Sequence, residues 1–284
     1  MTLKWDDDKI KILTDNYGKI SNEEIAKLLN TTKSSINCKI TRLGLNKQKD
    51  KGNIRLFQNI NNELSAYWLG FIYADGYIVT HKDSRGSNYE LGIELNIDDI
   101  THLEKFNVIF NNYYKITTRK RSMNTLDMLN NNEISNRYNH TCLIRIYSKE
   151  IVNDLLTNNI VQNKTNSEIF PIINDKKMFL HFLRGYIDGD GTYLIDTKNR
   201  FRITIQGNNK QCFEFISKKL KNDFDITSHI FKDRECWKLY IGCKQDVLKL
   251  IDLMFNDANV YLDRKYQKII EIKNAVHIRN DMKY

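Results

Sequence analysis

Proline is almost absent from this chain: Pro171 is the single one in 284 residues. That excludes collagen-like and polyproline architectures and leaves few obligatory helix breaks. Alanine is scarce too, whereas asparagine, isoleucine and lysine are heavily used. These favoured residues have A/T-rich codons, which suits a phage, an organelle or a low-GC bacterium and is silent on function. The five cysteines (Cys38, Cys142, Cys212, Cys236, Cys243) are odd in number and show no C-x-x-C spacing. They argue against a disulfide framework and a zinc site, and for idle thiols in a reducing compartment. No apolar run approaches the roughly 18 residues of a membrane span, and the opening MTLKWDDDK has no apolar secretory core. Acidic residues are the minority, 35 against 44 Lys+Arg, for a net charge of +9. The excess hints at a polyanionic partner. What is present is core material: 41% hydrophobic and 11% aromatic residues exclude a disordered chain.

Residues 1–45 read as three short helices. Trp5, Ile10, Leu13 and Tyr17 keep helical spacing, Gly18 breaks it, and Ser21-Asn22-Glu23-Glu24 resembles a capping box. Ile25, Ala26, Leu28 and Leu29 form the next apolar set. A third helix from about Lys33 to Arg42 turns Ile36 and Ile40 inward, and Gly44 stops it. This is the layout of a helix-turn-helix, whose last helix can enter the major groove. Lys33, Ser34, Ser35, Asn37, Lys39, Thr41 and Arg42 would then face bases or phosphates. A plain three-helix bundle fits the same pattern. Charge favours DNA: residues 30–58 hold Lys33, Lys39, Arg42, Lys47, Lys49, Lys51 and Arg55 against Asp50 alone, a local +6. Residues 46–62 lack periodicity and read as a basic linker tracking a phosphate backbone.

The remainder repeats itself. YWLGFIYADGYIV (67–79) parallels FLRGYIDGDGTYLI (182–195), and LGIELNIDDITHLEKF (91–106) parallels RITIQGNNKQCFEFIS (202–217). At an offset of 110 the second pair superposes Ile93 on Ile203, Leu95 on Ile205 and Asp98 on Asn208, with strand alternation in both copies. Each copy, 63–174 and 175–284, predicts helix (63–76; 176–191), two strands (77–81 and 89–97; 192–196 and 200–207) and helix (99–112; 209–222). Two more strands (115–121 and 140–147; 226–233 and 236–242) and a helix (148–157; 245–256) follow, with a terminal helix at 265–276. The fold class is α+β: two αββαββα repeats, each with a four-stranded antiparallel sheet, after a small all-α domain.

The first helix of each repeat ends in small-x-x-x-small-Asp-Gly: Gly70, Ala74, Asp75, Gly76 in one and Gly185, Gly189, Asp190, Gly191 in the other. Glycine inside a helix costs about 1 kcal/mol against alanine, so close packing of two helix backbones is its natural reason. Such packing brings Asp75 and Asp190 together at two helix C-termini, where the macrodipole and mutual repulsion both oppose them. Divalent metal binding, not stability, gains from that pairing.

WLGFIYADG (68–76) and LRGYIDGDG (183–191) resemble the paired motifs of the LAGLIDADG homing endonucleases in their single-chain form. Tyr73 departs from the pattern, standing where the first aspartate of the motif is often found. The resemblance implies a pseudo-symmetric saddle straddling double-stranded DNA. It also implies Mg²⁺ (with Mn²⁺ as a substitute) held by Asp75, Asp190 and the backbone of Ala74 and Gly189, and hydrolysis of both strands across the minor groove with 3′ overhangs. Lys164 and Lys265 fit the late basic residue of each repeat, which would stabilise phosphorane charge. Asp98 and Asn208 are candidates for positioning water. If Ile93, Leu95, Ile203 and Ile205 face the helices, Gly92, Glu94 and Asn96 face DNA in one half, and Arg200, Arg202, Thr204 and Gln206 in the other. Arg119, Lys120, Arg121, Arg145, Lys232, Arg234 and Lys238 would add contacts. Reading surfaces so unlike imply an asymmetric target, and two repeats in one chain imply a monomer.

Two further readings stay open: an intron RNA maturase on the same scaffold, and a DNA-binding regulator that does not cleave. An intein host is disfavoured, because the chain starts without a nucleophilic Cys or Ser and ends in Asp-Met-Lys-Tyr. A free-standing or intron-encoded enzyme fits better, in a host cytoplasm or an organelle matrix and not secreted.

Overall fold

The computed structural model describes residues 5–45, 50–83, 86–122, 138–162, 169–197 and 200–281. They fall into two compact units, Met1–Asp50 and Lys51–Tyr284. No helix among the described residues is long and apolar enough to cross a membrane.

The first unit holds α1 (Asp7–Asn16), α2 (Asn22–Leu28) and α3 (Lys33–Arg42). Each starts on a side chain that accepts from a free backbone N–H: Asp6 from Lys9, Ser21 from Glu24 in a full capping box, and Thr32 from Ser35. Leu13, Ile25, Ala26, Leu29, Ile36 and Ile40 make the core, with Trp5, Tyr17, Ile20 and Leu45 against it. Leu28 departs from the inward set and is 62% exposed, because helical spacing sets it off the face shared by Ile25, Ala26 and Leu29.

The second unit contains both repeats. The first runs α4 (Glu63–Asp75), β1 (Gly76–Asp83), β2 (Gly86–Asn96), a 3₁₀ turn (Ile97–Asp99), α5 (Ile100–Val108), β3 (Ile116–Ser122), β4 (Tyr138–Tyr147) and α6 (Lys149–Thr157). The second runs α7 (Lys176–Asp190), β5 (Gly191–Ile195), β6 (Phe201–Gly207), α8 (Lys210–Phe224), β7 (His229–Asp233), β8 (Cys236–Ile241) and α9 (Lys244–Phe255), followed by α10 (Asp263–Asp281). Both sheets are antiparallel with the same order, β1-β2-β4-β3 and β5-β6-β8-β7. The predicted α+β architecture is present, with shifts at element ends. Helix α5 is shorter than 99–112 because Asn111 and Asn112 adopt φ of 52° and 53°, and the Asn107 side chain ties off the backbone of Tyr114.

The segment read as a linker needs correcting. From residue 51 it belongs to the first repeat: Leu56 and Phe57 are buried at 3% and 0% exposure. Asn53 N–H donates to Ile109 O at 3.0 Å, Asn158 Nδ2 donates to Phe57 O at 2.9 Å, and Arg55 pairs with Asp154 at 3.2 Å. Ile54, Leu56, Phe57 and Ile60 show no clean period in a polar stretch, yet they pin it to the core.

At the centre, α4 and α7 lie against each other. The sequence of α4 is apolar all round, as a helix buried on every side must be. A Cβ on Gly70 would lie 2.0 Å from Phe182 O, and one on Gly185 the same distance from Tyr67 O. No other residue permits that approach. The clasp at the far end joins the repeats again: the buried Arg184 guanidinium donates to Glu63 Oε1 at 2.5 Å and to Val260 O at 3.1 Å. Glu63 in turn accepts from the backbone N–H of Asn259 and Val260. We expect Gly185→Ala to destabilise the second unit by about 3 kcal/mol or more, at the upper end of overpacking costs, in urea unfolding.

Candidate active site

The two helices end on Asp75 and Asp190, and both carboxylates are exposed. The chain passes from helix to strand with no intervening loop: Gly76 opens β1 and Gly191 opens β5. The helix contact reaches this end, since a Cβ on Gly189 would lie 2.2 Å from Ala74 Cβ and 3.3 Å from Asp75 Oδ2. All four predicted interface residues therefore serve the contact, and the two acids share one locus.

Beneath them lies a buried polar cluster. Lys265, 7% exposed on the first turn of α10, donates its ammonium to the carbonyls of Ile187, Asp188, Gly189 and Gly191 at 2.6–3.0 Å. It supplies hydrogen bonds and positive charge where the end of α7 lacks both. Burial brings its pKa down to about 8, a fall opposed by the charges of Asp188, Asp75 and Asp190. Lys265 thus belongs to the site, but it faces the helix end rather than open solvent. Lys164, Lys47 and Lys49 lie outside the described residues.

Asp188 is 1% exposed. Its Oδ2 accepts from Tyr67 OH at 2.7 Å and from Leu262 N–H at 2.9 Å. Burial raises its pKa to about 6, against the pull of those two bonds and of Lys265 and Arg184. The Tyr67 hydroxyl also meets His102 Nε2 at 3.1 Å.

Asp190, Lys265, Arg264 and Lys268 line one open pocket of about 560 Å³, with Thr192, Tyr193 and Leu194. Sequence reasoning missed Arg264 and Lys268. Their i,i+4 spacing around Lys265 was the available signal, since it sets both on one helix face. Arg264 also bonds Asp99 of the first repeat at 2.9 and 3.0 Å.

The ladders correct one correspondence. Gly76 pairs with Ile93 and Gly191 with Ile205, so these strands match at an offset of 112 rather than 110. Asn208 is the counterpart of Asn96, not of Asp98. Asn96 caps the 3₁₀ turn by accepting from Asp98 N–H at 3.0 Å, and Asn208 accepts from Cys236 Sγ at 3.5 Å. A shift of two preserves pleat parity, so the facing prediction is unaffected. Leu91, Ile93, Leu95, Ile203 and Ile205 are buried.

On the opposite face of the first sheet lie Gly92, Glu94 and Asn96, together with Arg145, by the rung Gly92↔Arg145, and Arg119, by the rung Arg119↔Thr141. The backbone of Arg121 pairs with Asn139 in the same ladder. Lys120 pairs with His140 and falls on the other side. In the second sheet Arg202, Thr204, Gln206 and Lys238 share the outer face. Lys232 pairs with Trp237, on the side of the core strand positions, and Arg234 sits in the β7–β8 turn at φ 55°. Arg200 precedes β6 rather than lying within it, and both Arg200 and Arg202 bond Asp196.

Many of these groups already have partners. Arg145 pairs with Glu90, Lys238 with Asp233 and Lys33 with Glu23. Glu94 accepts from Thr141 Oγ1 at 2.7 Å, Asn37 from Asn22 Nδ2 at 2.9 Å. Lys39 lies over the Trp5 ring and Lys51 over Tyr113. Ser34 and Arg42 are exposed and Ser35 half-buried on α3.

Residues 179–254 match the family profile of the LAGLIDADG-like domain. No curated protein matches the chain. Among solved structures, the LAGLIDADG meganuclease I-AabMI bound to uncleaved DNA is similar at a TM-score of 0.52 and 12% identity, over 78% of this chain and 92% of that one. I-SmaMI on an uncleavable DNA with a TTGT central four gives 0.51 and 14%, over 78% and 90%. The homing endonuclease I-GzeII in complex with its DNA target gives 0.50 and 14%, over 78% and 92%. The fold thus matches the two-repeat architecture of these LAGLIDADG structures. The chain carries a LAGLIDADG-like domain, and its resemblance to the LAGLIDADG homing endonucleases is borne out.

Burial holds the His102 imidazole down to about 3, whereas in the unfolded chain it titrates near the ordinary histidine value of about 6.5. Between those values the unfolded state binds the extra proton, so this contribution to stability is lost as pH falls through that window. His102→Gln should flatten the drop in unfolding free energy between about pH 7 and about pH 5, read by urea denaturation.

Proposed function

We propose that the protein is a site-specific, divalent-metal-dependent DNA endonuclease that cuts both strands of a long asymmetric target and leaves 3′ overhangs. The observation that carries this reading is the placement of two exposed carboxylates on the abutting ends of α4 and α7. Nothing in folding favours two acids at adjacent negative helix ends. DNA is the partner on which I-AabMI and I-GzeII were captured, and the basic outer sheet faces support the same partner here.

The donor set fits Mg²⁺. Among the described residues no group of three or more His, Cys, Asp or Glu could hold a metal. Two carboxylates beside backbone carbonyls are hard oxygen ligands that leave room for water and phosphate oxygens, which is how Mg²⁺ is commonly held. Asp75, Asp190 and the carbonyl of Ala74 would hold it, with the carbonyl of Gly189 offering the lone pair that Lys265 does not occupy, and Mn²⁺ would substitute. When bound, the ion supplies Lewis-acid stabilisation of charge developing on the phosphate. Arg264 and Lys268 frame the pocket beside Asp190 and would orient a phosphate against it. Lys265 holds the helix end that carries Asp190 and adds its charge to the same field. Asn96 and Asn208, at matching register, and Asp98 would order water. Arg119, Arg145, Arg202, Thr204, Gln206 and Lys238 would read or grip the duplex, and because the two sets differ, the target would not be palindromic. Both acids come from one chain, so one copy is sufficient.

Asp75→Asn and Asp190→Asn should each abolish the Mg²⁺-dependent double-strand cut in DNA carrying the unoccupied insertion locus, while DNA binding persists and the melting temperature does not fall. Retained cutting in both variants would overturn the assignment. The helices of residues 1–50 would add contacts on the flank of the target. Removing these residues should weaken binding and reduce the slope of log K against log salt by about 0.9 for each phosphate they neutralise, with the cut position unchanged.

A further inference from the structure

The helix end that carries Asp190 has a buried polar support. In the second repeat the helix end carries two buried charges, Asp188 and Lys265, at 1% and 7% exposure. The Lys265 ammonium is spread over four carbonyls of residues 187–191, the backbone from which Asp190 projects. Lys265 reaches them because the segment before α10 is held in place: Leu262 N–H donates to Asp188 at 2.9 Å, and Leu262 O accepts from Lys265 N–H at 3.0 Å. Asp188 therefore acts on Lys265 twice. It anchors the residue from which α10 begins, and it provides the negative charge that a buried ammonium requires. Tyr67 of α4 fixes the carboxylate by donating to the same Oδ2, with His102 behind it. Asp188 stands three residues after the interface glycine Gly185. The matching position in the first repeat, three residues after Gly70, holds Tyr73, an uncharged side chain whose hydroxyl meets Cys212 Sγ at 3.0 Å.

We propose that Asp188 is a positioning residue for Asp190: through Leu262 and Lys265 it fixes the end of α7, with a carboxylate at the position where the first repeat has Tyr73. The inference rests on the endonuclease reading for its kinetic consequence but not for its structural one. A site that acts by geometry loses much of its rate when a ligand is displaced by about 1 Å. Loss of the Asp188 charge should consequently slow one strand's cleavage more than the other's.

Asp188→Asn, which keeps the side-chain size, provides the test. In the metal-free protein, hydrogen exchange should quicken at residues 189–193 and 259–268 and stay unchanged at 74–78. In single-turnover cleavage of strand-labelled DNA at saturating enzyme with Mg²⁺, nicked product should accumulate on a single strand. The slowed strand should lose about tenfold or more in rate, the usual penalty for a residue behind a metal ligand, with DNA affinity unchanged. Should Asp188→Asn fail to fold, Tyr67→Phe removes one donor to the same oxygen and should give the same one-sided pattern more weakly. Unchanged exchange at 189–193, or both strands slowed by one factor, would overturn the proposal. A wild-type protein that cuts neither strand would instead refute the endonuclease reading, and the exchange data would still decide the role of Asp188.

Discussion

The structure depends on one contact, the backbone approach of α4 to α7 through Gly70 and Gly185. It sets the distance between the repeats, and it determines what stands at the far ends of both helices. Because Ala74 and Gly189 continue the same face, the approach is kept to the last turn, and Asp75 meets the space left open beside Gly189. The negative ends of two helices and two carboxylates then converge. A buried lysine offsets part of that strain at one end by engaging the carbonyls of α7. Packing and chemistry are here the same set of residues.

The basic surface has a similar economy. Arg145, Lys238, Arg202 and Arg55 are each held by an acid of the same chain. Exposed pairs of this kind contribute little to stability. On the outer sheet faces they do hold long side chains in defined directions, so under the proposed function a phosphate replacing the acid would meet a side chain already restricted in its rotamers. The net charge of +9 understates this surface, since much of it is cancelled locally by these acids.

Much of the fold is legible in the sequence because its signals are local and doubled. Alternation in LGIELN and RITIQG marks buried and outer faces, and a register error of two residues leaves that parity untouched. The same error misplaces individual partners, which is why the sequence offset pairs Asn208 with Asp98 whereas the ladder pairs it with Asn96. Lys232 and Lys120 fall on the unexpected face for a related reason: a strand of charged residues shows no apolar alternation to fix its parity. The acids are legible from motif and spacing. Asp188 is not, although it lies within the motif, because its meaning comes from Tyr67, Leu262 and Lys265, with hydrogen bonds made across 74 to 121 residues of chain. Leu56 and Phe57 escape notice because they and Ile54 and Ile60 stand among polar residues without a clean helix or strand period.

The clasp of Glu63, Arg184 and Asn259 bears on how two copies of one motif can share a chain. At the motif offset, with Asp75 matched to Asp190, the counterpart of Glu63 is Met178 and that of Arg184 is Leu69. The ion pair is therefore made once, in one direction, and its mirror image is an apolar pair. Each half has become a lock cut for the other's key. A second copy of either half would lack the clasp: one would leave Arg184 without its carboxylate, the other would leave Glu63 without its guanidinium.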